Sequence, residues 1–220
     1  MTDCLHTATD TDSAAMAESI RSAYRSADAD ALAGGLSWYT DATDMIRDDA
    51  DAYGLPFSTV AAIYSACSIN ATWAANVTIA RKWLAYATGK AVRPGGLSTV
   101  IVRAEAAVSS RPETFEDAWS VVLQGADERG SKVASFVSNF HGRTDYVTID
   151  RWAMVGAGCA ATIPHPRKRD TVATCKHANA PKGLKYARIA DAYRDVAAEL
   201  GIAPRELQAA VWVAVRGSAN

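Results

Sequence analysis

Apolar residues recur at helical spacing along most of the chain. Val133, Phe136, Val137 and Phe140 stand at i, i+3, i+4 and i+7, one buried face of a helix opening at Lys132. Over 36–53, Trp38, Ala42, Met45 and Ile46 mark one side, with Asp41, Asp44, Asp48 and Asp49 largely on others. Gly54-Leu55-Pro56 stops that helix. Residues 60–69 are apolar enough for a central buried helix, capped by Ser58 or Thr59. Further helices are predicted over 13–32, ended by Gly34-Gly35, and over about 73–88, 98–109, 152–161, 183–200 and 204–216. Thr114 with Asp117 resembles a capping box for another. Residues 1–12 read as a disordered N-terminus, and 162–182, with three prolines, as an irregular loop. Neither strand-like alternation of useful length nor an internal repeat is evident. The expected fold is all-α, a single domain over 13–220.

Composition adds little to that picture. A content of 49% hydrophobic and 21% charged residues suits a well-packed chain. No apolar run approaches the ~18 residues of a membrane span, and the polar, acidic start is unlike a secretory signal. Cys4, Cys67, Cys159 and Cys175 lack C-x-x-C or Cys/His spacing, so neither metal nor cofactor is expected. Reduced thiols fit a cytoplasmic protein, with Cys67 and Cys159 as small core residues.

Charge changes the picture more. The formal net charge of -1 hides 11 acidic against 3 basic residues over 1–60, and 13 against 20 over 61–220. Within 164–188, Arg167, Lys168, Arg169, Lys176, Lys182, Lys185 and Arg188 face one acid, Asp170. Such a field attracts phosphates, although a solvated basic loop has the same composition.

The stretch 117–152 carries the candidate chemistry: a helix end, a glycine-bearing turn, the Lys132 helix, a polar loop, and Asp150 at the start of another helix. A lysine in a first helical turn costs a few tenths to about 1 kcal/mol against the macrodipole. That cost is mild evidence for a role. Asp150 suits a helix N-cap, which is a structural reason sufficient by itself.

Lys132 two residues after Gly130, followed eighteen residues later by the aspartate of Val147-Thr148-Ile149-Asp150, resembles the helix-hairpin-helix DNA glycosylases of the endonuclease III type. The resemblance covers about 40 residues. It implies two helical lobes with an active-site cleft between them, a hairpin gripping a DNA phosphate, Lys132 attacking the sugar C1′, and Asp150 assisting displacement of the base. It departs from the family in three places. Ala126-Asp127-Glu128-Arg129 separates Leu123-Gln124-Gly125 from Gly130-Ser131-Lys132, Arg151-Trp152 follows Asp150 where the family often has Thr-His, and no C-terminal four-cysteine cluster exists. Trp38-Tyr39, the segment 68–76 and the terminal segment 207–212 look similar to small bacteriophage proteins of this scaffold, some of which are thought to act in thymine hypermodification.

Cleavage of an N-glycosidic bond builds positive charge on the sugar, which a carboxylate stabilises. A neutral amine can attack C1′ and form a Schiff base. The base must enter a pocket between aromatic and polar side chains, and Trp38, Tyr39, Trp73, Asn76, His141 and Trp152 are the candidates. Each has a structural alternative: core packing for Trp38 and Trp73, a helix C-terminal cation for His141. Trp212 reads as core, with Gln208 serving a buried polar group. Arg129, Gly130, Ser131, Arg143, Arg167, Lys168, Arg169, Lys176 and Lys182 are the expected DNA contacts. The expected function is DNA N-glycosylase-like, acting as a monomer on DNA and not on a membrane. The alternatives are a thymine-hypermodification enzyme, placed in the host cytoplasm if the chain is of bacteriophage origin, or a noncatalytic DNA-binding protein.

Overall fold

The computed structural model describes residues 10–124, 131–158, 162–164, 171–173 and 184–217. Their regular elements are helices, apart from one small strand pair. The elements are α1 (Asp10–Ser26), α2 (Ala29–Tyr53), α3 (Phe57–Cys67), α4 (Trp73–Ala87), α5 (Ser98–Ser110), α6 (Phe115–Leu123), α7 (Lys132–Phe140), α8 (Arg151–Gly156), β1 (Thr162–Pro164), β2 (Thr171–Ala173), α9 (Leu184–Leu200) and α10 (Pro204–Arg216). Two compact units form: one takes the described residues up to Trp38 and from Thr144 onward, the other Tyr39–Arg143. Among the described residues no helix is long and apolar enough to cross a membrane.

The unit of Tyr39–Arg143 is built around α3. Every residue from Ser58 to Cys67 is buried, as expected of a helix without a polar face. Its small residues let α4, α5, α6 and α7 pack on it. Ser58 and Thr59 are not its caps, because the helix already starts at Phe57 behind Pro56. The Ser58 hydroxyl lies 3.1 Å from the Glu113 carbonyl oxygen, and Thr59 donates to the Pro112 carbonyl at 2.8 Å. Both hydroxyls thus serve the loop before α6. Thr114 caps α6 by accepting from Asp117 N–H, while its hydroxyl donates to the Asp117 carboxylate. That is half of the expected capping box. Asp49, buried on α2, accepts from the Tyr64 hydroxyl and from Arg81 Nε at 3.0 Å. Burial and the adjacent carboxylate push the Tyr64 phenol far above its ordinary range, so it stays a neutral donor.

The other unit packs Met16 and Ile20 of α1 with Val147, Ile149, Tyr186, Tyr193, Val196, Leu207 and Val211. Three expectations fail here. First, α1 begins at Asp10, so residues 10–12 are helical rather than disordered, and it ends at Ser26 rather than at Gly34-Gly35. Asp28 Oδ1 accepts from Ala31 N–H at 2.7 Å, opening α2. Both glycines lie inside α2, and a close approach requires the second: a Cβ on Gly35 would sit 2.3 Å from Ala210 Cα of α10. Second, α8 is shorter than 152–161. It closes at Ala157, followed by Gly158 with φ 86°. Third, 162–182 is not wholly irregular. β1 and β2 pair antiparallel, with Thr162 opposite Ala173 and Ile163 opposite Val172.

Candidate functional site

Lys132 is the first residue of α7. Ser131 caps that helix, its hydroxyl accepting from Ala134 N–H at 3.3 Å. The hydroxyl expected to touch DNA is therefore engaged in a cap. The Lys132 ammonium donates to the Ser68 carbonyl at 2.8 Å and lies 5.5 Å from the centre of the Phe136 ring. Ser68 is the C-cap of α3, where carbonyls lack helical partners and the dipole is negative. The lysine's unfavourable place at one helix start is thus offset by a favourable one at another helix's end.

The same helix gathers two of the aromatic candidates. Tyr39 packs against Phe136 and Phe140 at centroid distances of 6.2 Å, and Trp73 against Phe140 at 6.4 Å and Tyr64 at 5.9 Å. Tyr39 is 2% exposed, which makes it a core residue, whereas Trp73 is half-buried. Asn76, also 2% exposed, holds a buried Oδ1 without a hydrogen-bond partner among the described residues.

His141 caps the C-terminus of α7, but not as a cation. Its Nδ1–H donates to the Val137 carbonyl at 2.8 Å, and Nε2 lies 3.0 Å from Ser58 Oγ. The rings of Phe57 and Phe115 meet it edge-on at 5.1 and 5.3 Å. Burial lowers its pKa, Arg143 adds to that, and the Val137 bond and Glu116 oppose it. Arg143 is exposed, 3.9 Å over the Phe115 ring and 3.2 Å from Glu116 Oε1. It already has an anionic partner.

In the other unit, Asp150 is the N-cap of α8. Its Oδ1 accepts from Trp152 N–H at 2.9 Å and Ala153 N–H at 3.0 Å, and Oδ2 makes no hydrogen bond among the described residues. The approach to Asp150 is pinned by Tyr186, whose buried hydroxyl accepts from Ile149 N–H at 3.0 Å and donates to the Val147 carbonyl at 2.8 Å. The helix itself is seated by Gly156, where a Cβ would lie 2.3 Å from Val211 Cγ1 and 2.7 Å from the Tyr193 hydroxyl. That hydroxyl donates to the Ala153 carbonyl at 2.9 Å, and burial, aided by the Asp150 charge, keeps it neutral. A half-buried carboxylate with one fixed oxygen results.

Trp152 follows Asp150 and is half-buried. Trp38 is half-buried as well, 6.0 Å from Trp212, and the Arg216 guanidinium covers the Trp212 ring at 4.7 Å. Trp212 is therefore not the sealed core residue expected of it, whereas Gln208 is buried as expected. The Trp212/Arg216 pair was missed. Its signal was the four-residue spacing on one helix face, which also suits ordinary core packing and so did not stand out.

Arg129, Gly130, Arg167, Lys168, Arg169, Lys176 and Lys182 lie outside the described residues. So does the hairpin turn at 125–130.

Residues 3–219 match the model of a family of unknown function, DUF7178. The chain belongs to this family. Neither a curated protein nor a solved structure matches it. For a DUF7178 protein, the chemical reading rests on the side chains themselves.

Proposed function

We propose that this DUF7178 protein is a DNA N-glycosylase-like enzyme acting on an extruded base. Asp150 is its electrostatic residue and Lys132 its candidate nucleophile. The reading is carried by the fixed Asp150 carboxylate: two backbone amides hold Oδ1, Tyr186 and Gly156 hold the backbone, and Oδ2 has no hydrogen bond among the described residues. A preorganised carboxylate of this kind stabilises a sugar that becomes cationic as the C1′–N bond breaks and the electron pair leaves with the base. Water completes a simple hydrolysis. In the covalent variant the Lys132 ammonium releases the Ser68 carbonyl and gives up a proton to solvent, and the neutral amine then bonds to C1′ as the C1′–N bond breaks and the base leaves with its electron pair.

The test is incubation of the full chain with labelled duplexes carrying uracil, oxidised, alkylated, mismatched or 5-hydroxymethyl bases, with and without borohydride. Released free base supports the reading. An adduct trapped by borohydride and missing in Lys132→Ala assigns the covalent variant. Absence of base release across the panel, with intact DNA binding, counts for the noncatalytic alternative.

A further inference from the structure

The helix that Asp150 caps is short, running only from Arg151 to Gly156. A helix of that length has too few internal hydrogen bonds to hold its own geometry, so what packs on it sets its shape. Asp150 Oδ1 is tied to the first turn through Trp152 N–H and Ala153 N–H. Whatever displaces that turn also displaces the carboxylate.

Two phenols from α9 hold the chain on either side of Asp150. Tyr186 and Tyr193 stand seven residues apart, about two helical turns, and so share one face of α9. Tyr186 bonds Ile149 N–H and the Val147 carbonyl before Asp150, and Tyr193 donates to the Ala153 carbonyl after it at 2.9 Å. Core packing accounts for both rings, which belong to one apolar cluster. It does not account for the Tyr193 hydroxyl. The Ala153 carbonyl already accepts from Ala157 N–H at 3.0 Å and needs no second donor. A phenylalanine would fill the same space without a buried polar group to satisfy. The hydroxyl also needs room, since a Cβ on Gly156 would lie 2.7 Å from it, and glycine inside a helix is a destabilising choice. Chain and core thus both give up something to bring one hydroxyl to the turn that holds the carboxylate.

We infer that Tyr193 is a positioning residue for Asp150, completing with Tyr186 a two-point clamp from α9 that fixes the direction of the carboxylate. The inference rests on the glycosylase-like reading for the reaction it serves, though not for the clamp itself. At 4% and 0% exposure, Tyr186 and Tyr193 do not touch substrate. They act through the backbone that bears Asp150.

The experiment compares the full chain with Tyr193→Phe, Tyr186→Phe, Asp150→Asn and the double variant Tyr193→Phe/Asp150→Asn, each verified as folded by a thermal melt. Amide hydrogen exchange followed by NMR reads the clamp, and base release from the duplex that the parent processes reads kcat and KM. Tyr193→Phe should speed exchange at Trp152 and Ala153 by about tenfold or more, as the turn opens more often. It should leave KM unchanged and lower kcat by about tenfold, within the ~100-fold that a misplacement of about 1 Å can cost. In the Asp150→Asn background the same substitution should change kcat by less than about twofold, because the group it acts through is gone. Tyr186→Phe should repeat the pattern from the other side of Asp150.

A tyrosine with a structural role alone would lower the melting temperature and leave kcat at the parental value. That result overturns the inference and leaves the glycosylase reading standing. So does unchanged exchange at Trp152 and Ala153, or a kcat loss of equal size in the Asp150→Asn background. If the parent chain releases no base from any duplex, the reading and the inference fall together. Should Tyr193→Phe not fold, Tyr186→Phe carries the test, and parental kcat in that variant overturns the clamp.

Discussion

The Lys132 ammonium donates to the Ser68 carbonyl across 2.8 Å, joining the start of α7 to the end of α3. Whatever chemistry Lys132 performs, it also has a structural role. Lys132→Met should therefore lower stability by about 0.5–1.5 kcal/mol, the net value of an ordinary hydrogen bond. Urea denaturation reads this as a lower midpoint with an unchanged slope. A change near zero, as for a surface lysine, would remove that role.

Gly35 should be intolerant of any side chain. The methyl of Gly35→Ala would meet Ala210 Cα at 2.3 Å, a backbone atom that cannot rotate away. Overpacking of this kind costs roughly 1–3 kcal/mol, and each kcal/mol shifts Tm by about 2–4 °C in a domain of this size. Gly54→Ala is the instructive contrast, because nothing stands within 4 Å of a Cβ there and its penalty is only that of φ +63°. A melt showing Gly35→Ala at the parent Tm would refute the close approach of α2 to α10.

His141 gives stability a definite pH slope. Its folded pKa is lowered by burial from an ordinary 6.5, so the unfolded chain takes up the proton first as pH falls. The contribution of the neutral ring is complete above about 6.5 and declines as pH drops through that value toward the lower folded pKa. His141→Gln should flatten the difference in denaturation midpoint between pH 7.5 and 5.5. An identical slope in parent and variant would show that His141 does not govern it.

Cys67 should be inert while the chain is folded. The thiol is fully buried on α3, and burial pushes its pKa up to about 12, leaving almost no thiolate at neutral pH. Maleimide labelling followed by peptide mass spectrometry should find Cys67 unmodified in buffer and modified in 6 M guanidinium. Labelling in buffer would mean that α3 opens locally.

The amphipathic period of α7 and the unbroken apolar character of α3 were legible in the residues, because each depends on neighbours along the chain. Gly34-Gly35 was misread as a helix end for the opposite reason: whether a glycine terminates a helix or admits another depends on what stands across from it, here Ala210. Ser58 and Thr59 show the same ambiguity, since a hydroxyl near a helix start serves a cap or a passing loop equally well, and the loop at 112–113 is distant in sequence. At the candidate site, Asp150 as an N-cap followed from residue type alone. The Lys132 contact with Ser68 and the partial burial of Trp212 depend on placement in space, which no local pattern encodes.

The most direct test of the account is Asp150→Asn, assayed for base release and DNA binding in the same preparation. Asparagine caps a helix about as well as aspartate, so α8 should persist while the negative charge is lost. The account predicts a melting temperature within a few degrees of the parent, unchanged DNA affinity, and base release reduced on the order of 100-fold or more, as for loss of one preorganised electrostatic group. Base release at the parental rate from folded Asp150→Asn would contradict it.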